Sequence, residues 1–140
     1  MIVLDTNVIS ELMAIEPSPA VRIWLDKQDP GIVWTTAVTL YEINFGIELM
    51  PAGRKRAALE GIVFDMLIRP FERRVLPFGE KAANATAALS ARRKKAGRPI
   101  SILDAQIAGI VEANSATLVT RDVGDFWGVN FPVVSPWEAA

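Results

Sequence analysis

The chain contains no cysteine and no histidine. The first absence excludes disulfides, thiolate nucleophiles and cysteine-held zinc or iron–sulfur centres. The second removes Ser-His-Asp catalysis, imidazole general bases and histidine-bound transition metals. Chemistry is left mainly to carboxylates, whose hard oxygens suit Mg²⁺ or Mn²⁺ better than copper or zinc. Long apolar runs are also missing. No uncharged stretch exceeds 12 residues, against about 20 for a membrane-spanning helix. The opening MIVLD lacks the basic segment and long apolar run of a signal peptide, so a cytoplasmic protein with no membrane contact is expected. The glycine patterns of P-loop and Rossmann nucleotide sites are absent as well. A haloacid dehalogenase-type phosphatase needs an acid two residues after its strand-end Asp, where Asn7 stands, and a receiver domain needs a lysine late in the chain, where none follows Lys95.

What is present argues for one folded unit. A length of 140 residues is about one domain, spanning 1–140. At 51% hydrophobic and 22% charged residues the chain has enough apolar surface for a sizeable core, which excludes disorder. The net charge of −1 hides an asymmetry: residues 54–98 hold 12 of the 15 basic residues and four acids, net +8, and the rest holds three bases and 12 acids, net −9. Such a chain can meet a polyanion with one part and collect a cation with the other.

Strands are expected at Met1 to Leu4, Ile32 to Trp34, Val75 to Phe78, Thr117 to Thr120 and Val133-Val134. Helices are expected after Asp5, through Val21 and Leu25 to near Asp29-Pro30, after Thr35 or Thr36, over 53–68, over 80–95 ending at Gly97, and after Ser101. In the third helix Val38, Tyr41, Phe45 and Leu49 share a face. Short apolar strands alternating with helices give an α/β fold: a short, mainly parallel sheet between two helical layers. Sites in such sheets lie beyond the carboxyl ends of the strands. Asp5 follows the first strand directly, and Asp122 sits just past TLVT.

Four acids stand in apolar company: Asp5 after MIVL, Glu42 in VTLYEINF, Asp104 in ISILDAQIAGI and Asp122 after TLVTR. A buried carboxylate needs hydrogen-bond donors or a cation. Singly, each has a plain structural reading. Asp5 can cap a helix, Ser101 and Asp104 resemble a capping box, and Asp122 suits a turn. Glu42 lies past the capping positions, where an arginine partner is its plain reading. Together, at strand ends and in the helices that follow, they read as a metal-binding acidic pocket.

The strand running into Asp5-Thr6-Asn7, then Glu42-Ile43-Asn44-Phe45-Gly46, Asp104 in LDAQIAG, and Thr120 to Phe126 (TRDVGDF) resemble the PIN domain of VapC-type toxins, particularly the FitB-like branch. The likeness continues to Ser135-Pro136-Trp137. It implies a three-layer PIN-like fold and an endoribonuclease using Mg²⁺ or Mn²⁺, silenced by a VapB-type antitoxin. By position, Asp5, Glu42 and Asp104 match the three core acids and Asp122 the fourth, a role Asp125 is close enough to share. Thr6 and Thr120 match supporting hydroxyls. A non-catalytic interaction module is the alternative, disfavoured by the four intact acids. The expected mechanism is metal-assisted phosphodiester hydrolysis, and the apolar fraction suggests a homodimer.

Arg92, Arg93, Lys94 and Lys95 are assigned to the RNA backbone, with a solvated helix end complementing the helix dipole as the alternative. Trp24, Trp34, Trp127 and Trp137 are expected to pack at the core or its rim rather than to stack on bases. Val8, Ile9, Leu12 and Met13 are expected in the core.

Overall fold

β-Branched and leucine residues at Ile2–Leu4, Val33–Thr36, Val75–Leu76, Thr117–Val119 and Val133–Val134 form strands β1 to β5 of the computed structural model, which describes residues 1–65, 69 and 74–138. They make one parallel sheet in the order β3-β2-β1-β4-β5. The chain winds from β1 toward one edge and then restarts at β4 on the other side of β1. The switch point therefore falls between β1 and β4, where open α/β sheets place their sites. Asp5 and Thr120 directly follow those two strands.

Alternating side chains divide the core in two. Val3 and Leu118 face a layer containing Leu89, Ile107 and Ile110. Leu4 and Val119 face Val8, Ile9, Val21 and Ile47. The helices behind these layers are α1 (Thr6–Leu12), α2 (Pro19–Asp26), α3 (Ala37–Glu48), α4 (Arg54–Val63), α5 (Glu80–Lys95) and α6 (Ile102–Ala113). This is the three-layer α/β/α architecture expected. Helices α5 and α6 approach closely at Gly109, where a Cβ would overlap the Thr86 hydroxyl and lie 2.5 Å from the Ala82 carbonyl oxygen.

Several boundaries differ from expectation. The second strand begins at Val33 because Pro30–Ile32 is a 3₁₀ turn, and it extends through Thr36 because Thr35 and Thr36 pair with Val75 and Leu76. The third strand stops at Leu76. The helix expected over 53–68 is described as α4, with 66–68 outside the described residues. On α3, Tyr41, Phe45 and Leu49 do not enter the core. They stay exposed, with the Tyr41 and Phe45 rings stacked at 5.8 Å, while Val38, Thr39 and Ile47 are buried. Among the described residues no helix is long and apolar enough to cross a membrane.

Candidate active site

Asp5 is set at the end of the central strand by its amide, which donates to the Val119 carbonyl at 2.9 Å. Its extended backbone also makes it the N-cap of α1. Asp5 is 4% exposed. One oxygen accepts from the Thr6 amide and the other from the Thr120 hydroxyl, both at 2.8 Å. Burial pushes its pKa up to about 6 against these two donors, and the charges of Asp104 and Glu42 push the same way. A carboxyl in that condition binds a cation readily once ionised.

Glu42 reaches the same place from the second turn of α3, whose N-cap is Thr36. The Thr6 hydroxyl donates to Glu42 Oε1 at 2.7 Å. Thr39 lies 3.1 Å from the Thr6 oxygen, and the Thr36 hydroxyl donates to Thr39 at 3.3 Å. With Thr6 committed to Glu42, the hydroxyls run in one direction: Thr36 to Thr39 to Thr6 to Glu42. Asp104 enters from the first turn of α6, where Ser101 caps its amide at 3.2 Å. Burial raises the Asp104 pKa, Ser101 lowers it, the charges of Asp125 and Asp122 raise it, and Arg93 lowers it.

Asp5, Glu42 and Asp104, 37 and 62 residues apart along the chain, thus line one open cleft of about 470 Å³ together with Thr6, Asn7 and Arg121. Asp122 lies beside it, one oxygen accepting from Asn7 Nδ2 at 3.1 Å. Asp125 is one residue triplet further along, in the 3₁₀ turn Val123–Phe126. Among the described residues no three acids form a finished cation cage.

Asn7 closes the Asp5-Thr6-Asn7 motif at the end of β1. It joins the two halves of the site: Nδ2 donates to Asp122 and to Thr120 Oγ1, and Oδ1 accepts from the Arg121 amide at 3.2 Å. Thr39 and Arg121 were missed. The guanidinium of Arg121 stacks 5.1 Å from the Trp137 ring centroid.

One assignment is corrected. Arg93 is 6% exposed and unavailable to a nucleic-acid backbone. Its guanidinium donates to the carbonyls of Arg98 at 2.6 Å, Asp125 at 2.9 Å and Trp127 at 3.1 Å. It faces inward because Ala82, Leu89 and Arg93 follow one buried stripe of α5. Arg92, Lys94 and Lys95 are exposed.

A doubly flanked parallel sheet with acids at its switch point defines the class: the PIN domain family model matches residues 2–126, and the chain belongs to that family. Among similar proteins, VapC ribonuclease Y4jK of Sinorhizobium fredii is 38% identical over 140 residues, 100% of both chains. Toxin FitB of Neisseria gonorrhoeae is 35% identical over 138 residues, 99% of both. A solved structure of FitAB bound to the IR36 DNA fragment matches with a TM-score of 0.92 at 34% identity, covering 100% of this chain and 98% of that one. The crystal structure of FitAcB from Neisseria gonorrhoeae matches at 0.91 with the same identity, covering 99% and 100%.

Proposed function

We propose that this protein is a metal-dependent endoribonuclease acting as the toxin of a toxin–antitoxin pair. The observation that carries the reading is the convergence of Asp5, Glu42 and Asp104 on one cleft at the switch point, in a chain without His or Cys. A ribonuclease and a toxin among its full-length relatives support it.

The donor set is all oxygen, from carboxylates and hydroxyls, and fits Mg²⁺ or Mn²⁺. Asp5 and Asp104 would hold the ion, assisted by Glu42 and Asp122. When bound, it supplies charge to the scissile phosphate and acidifies water for in-line attack. The protein's own groups do the rest. Thr120 and the Thr6 amide fix the orientation of Asp5, and the threonine chain fixes Glu42. Asp122, engaged by Asn7 through one oxygen, keeps the other for ordering the attacking water. Arg121, braced on Trp137, offers a cation to a phosphate at the cleft.

An antitoxin of VapB type is the proposed silencing partner, and a homodimer the proposed state. The exposed Tyr41, Phe45 and Leu49 strip on α3 supports a protein partner. The test is cleavage of RNA by antitoxin-free protein. Mg²⁺ or Mn²⁺ should support it, EDTA should abolish it, and Asp5→Asn or Asp104→Asn should reduce it by several orders of magnitude. Wild-type rates in either variant would overturn the assignment and favour a non-catalytic interaction module.

A further inference from the structure

A second cleft, of about 500 Å³, opens where α5 ends, lined by Arg92, Arg93, Lys95, Ala96, Trp127 and Gly128. Its aromatic wall is built rather than incidental. Trp127 is 45% exposed, and its ring carries the Arg98 guanidinium 4.3 Å from the centroid. Arg98 is turned back to this point by the end of α5. Gly97 adopts a φ of +72°, the Arg98 amide donates to the Arg93 carbonyl at 3.0 Å, and the Gly97 amide to the Lys94 carbonyl at 3.1 Å. Buried Arg93 donates to the Trp127 carbonyl, and its guanidinium carbon lies 5.8 Å from the ring centroid.

The rim is cationic. Arg92, Lys95 and Arg98 are exposed, and none has an acidic partner: among the described residues the ion pairs join Arg56 to Glu48 and Glu60. A half-exposed indole stacked with a guanidinium and ringed by cations without acidic partners, one of them Arg92, which donates to the Gly128 carbonyl at 3.4 Å, matches a ligand that is both planar and anionic. A simple anion has no use for the indole, and an apolar peptide has none for the cations. Nucleotides combine a stackable base with a phosphate. Arg93, which lines the cleft, also donates to the backbone carbonyl of Asp125, so one side chain ties the cleft to the turn that carries Asp125.

We propose that this cleft is a nucleotide subsite for the RNA strand. One base joins the Arg98–Trp127 stack, and Arg92 and Lys95 hold the neighbouring phosphates. Lys94 does not line the cleft and contributes little. The inference rests on the ribonuclease reading and adds to it a place where the strand is gripped away from the bond being cut.

The test uses full-length, antitoxin-free Asp5→Asn protein, which leaves RNA intact, and a short fluorescein-labelled single-stranded RNA. Trp127→Ala should weaken binding roughly tenfold, and Trp127→Phe should restore most of it. Arg92→Ala and Lys95→Ala should each lower the slope of log K against log salt by about 0.7, and both sites are exposed enough to leave folding intact. An RNA of the same length lacking its bases should bind wild-type and Trp127→Ala proteins equally. Unchanged RNA affinity in Trp127→Ala, with or without loss of antitoxin affinity, would overturn the subsite. If the protein with Asp5 intact still cleaves RNA in that case, the nuclease reading survives. A protein that neither binds nor cleaves RNA overturns both.

Discussion

Thr120 donates its hydroxyl hydrogen to Asp5 Oδ2 at 2.8 Å, across the boundary between β4 and β1, while its oxygen accepts from Asn7 and from the Asp122 amide. One hydroxyl thus ties the most buried acid to the loop that carries the fourth. Replacing it with a methyl, in Thr120→Val, removes a donor that stabilises ionised Asp5. RNA cleavage should fall about 10–100-fold, with a matching loss of Mg²⁺ affinity. Thr120→Ser should recover most of the activity. Steady-state cleavage over a Mg²⁺ titration reads both effects.

The pKa of Asp5 predicts an opposition between stability and activity. Folding raises it from 3.8 to about 6, so the folded state binds the proton more tightly than the unfolded one. The stability this lends is present in full below about pH 3.8 and is lost as pH rises through about 6. At neutral pH the ionised, buried carboxylate opposes folding, on the order of 3 kcal/mol for a shift of this size. Asp5→Asn should therefore raise the melting temperature of metal-free protein at neutral pH and change it little near pH 4. Added Mg²⁺ should narrow the gap by stabilising the wild type. A neutral-pH melting temperature below wild type would refute this account.

Proton and cation compete for the same oxygens of Asp5. The Mg²⁺ concentration needed for half-maximal cleavage should rise as pH falls through about 6. The same titration in Asp122→Asn, whose acid is exposed, should keep that pH dependence while the rate falls.

Arg93 and Lys94 are neighbours with opposite roles. Arg93→Ala strands three carbonyls that now accept from a guanidinium and should destabilise the protein by about 2–3 kcal/mol. Lys94→Ala should fall within about 0.5 kcal/mol of wild type. Chemical denaturation of the two variants separates them.

The strand-end acids were legible because an apolar run that stops at Asp5, or at Thr120 just before Asp122, marks the carboxyl edge of a parallel sheet. Asp104 was legible as a lone carboxylate in the apolar run ISILDAQIAGI, even though Ser101 three residues earlier offered it a plain capping role. The charge run on α5 misled because four consecutive bases resemble a solvated face. The helical phase of Ala82, Leu89 and Arg93 was the signal that one of them points inward. Thr39 went unseen because a threonine three residues before Glu42 reads as an ordinary helix residue. Its role depends on Thr6, 33 positions away.

Gly109 turns the packing of α5 on α6 into a measuring device. The absent side chain lets the two helices sit backbone to side chain, and the ends of this pair carry Asp104 on one member and the Arg92–Lys95 edge of the nucleotide cleft on the other. The spacing of α5 and α6 then helps to set how far the proposed nucleotide cleft stands from Asp104, together with the loops that carry Arg98 and Trp127. Widening that spacing, as a methyl at Gly109 would do, should shift which phosphodiester is cut relative to the held base, a change of register visible as a displaced band even where total cleavage is preserved.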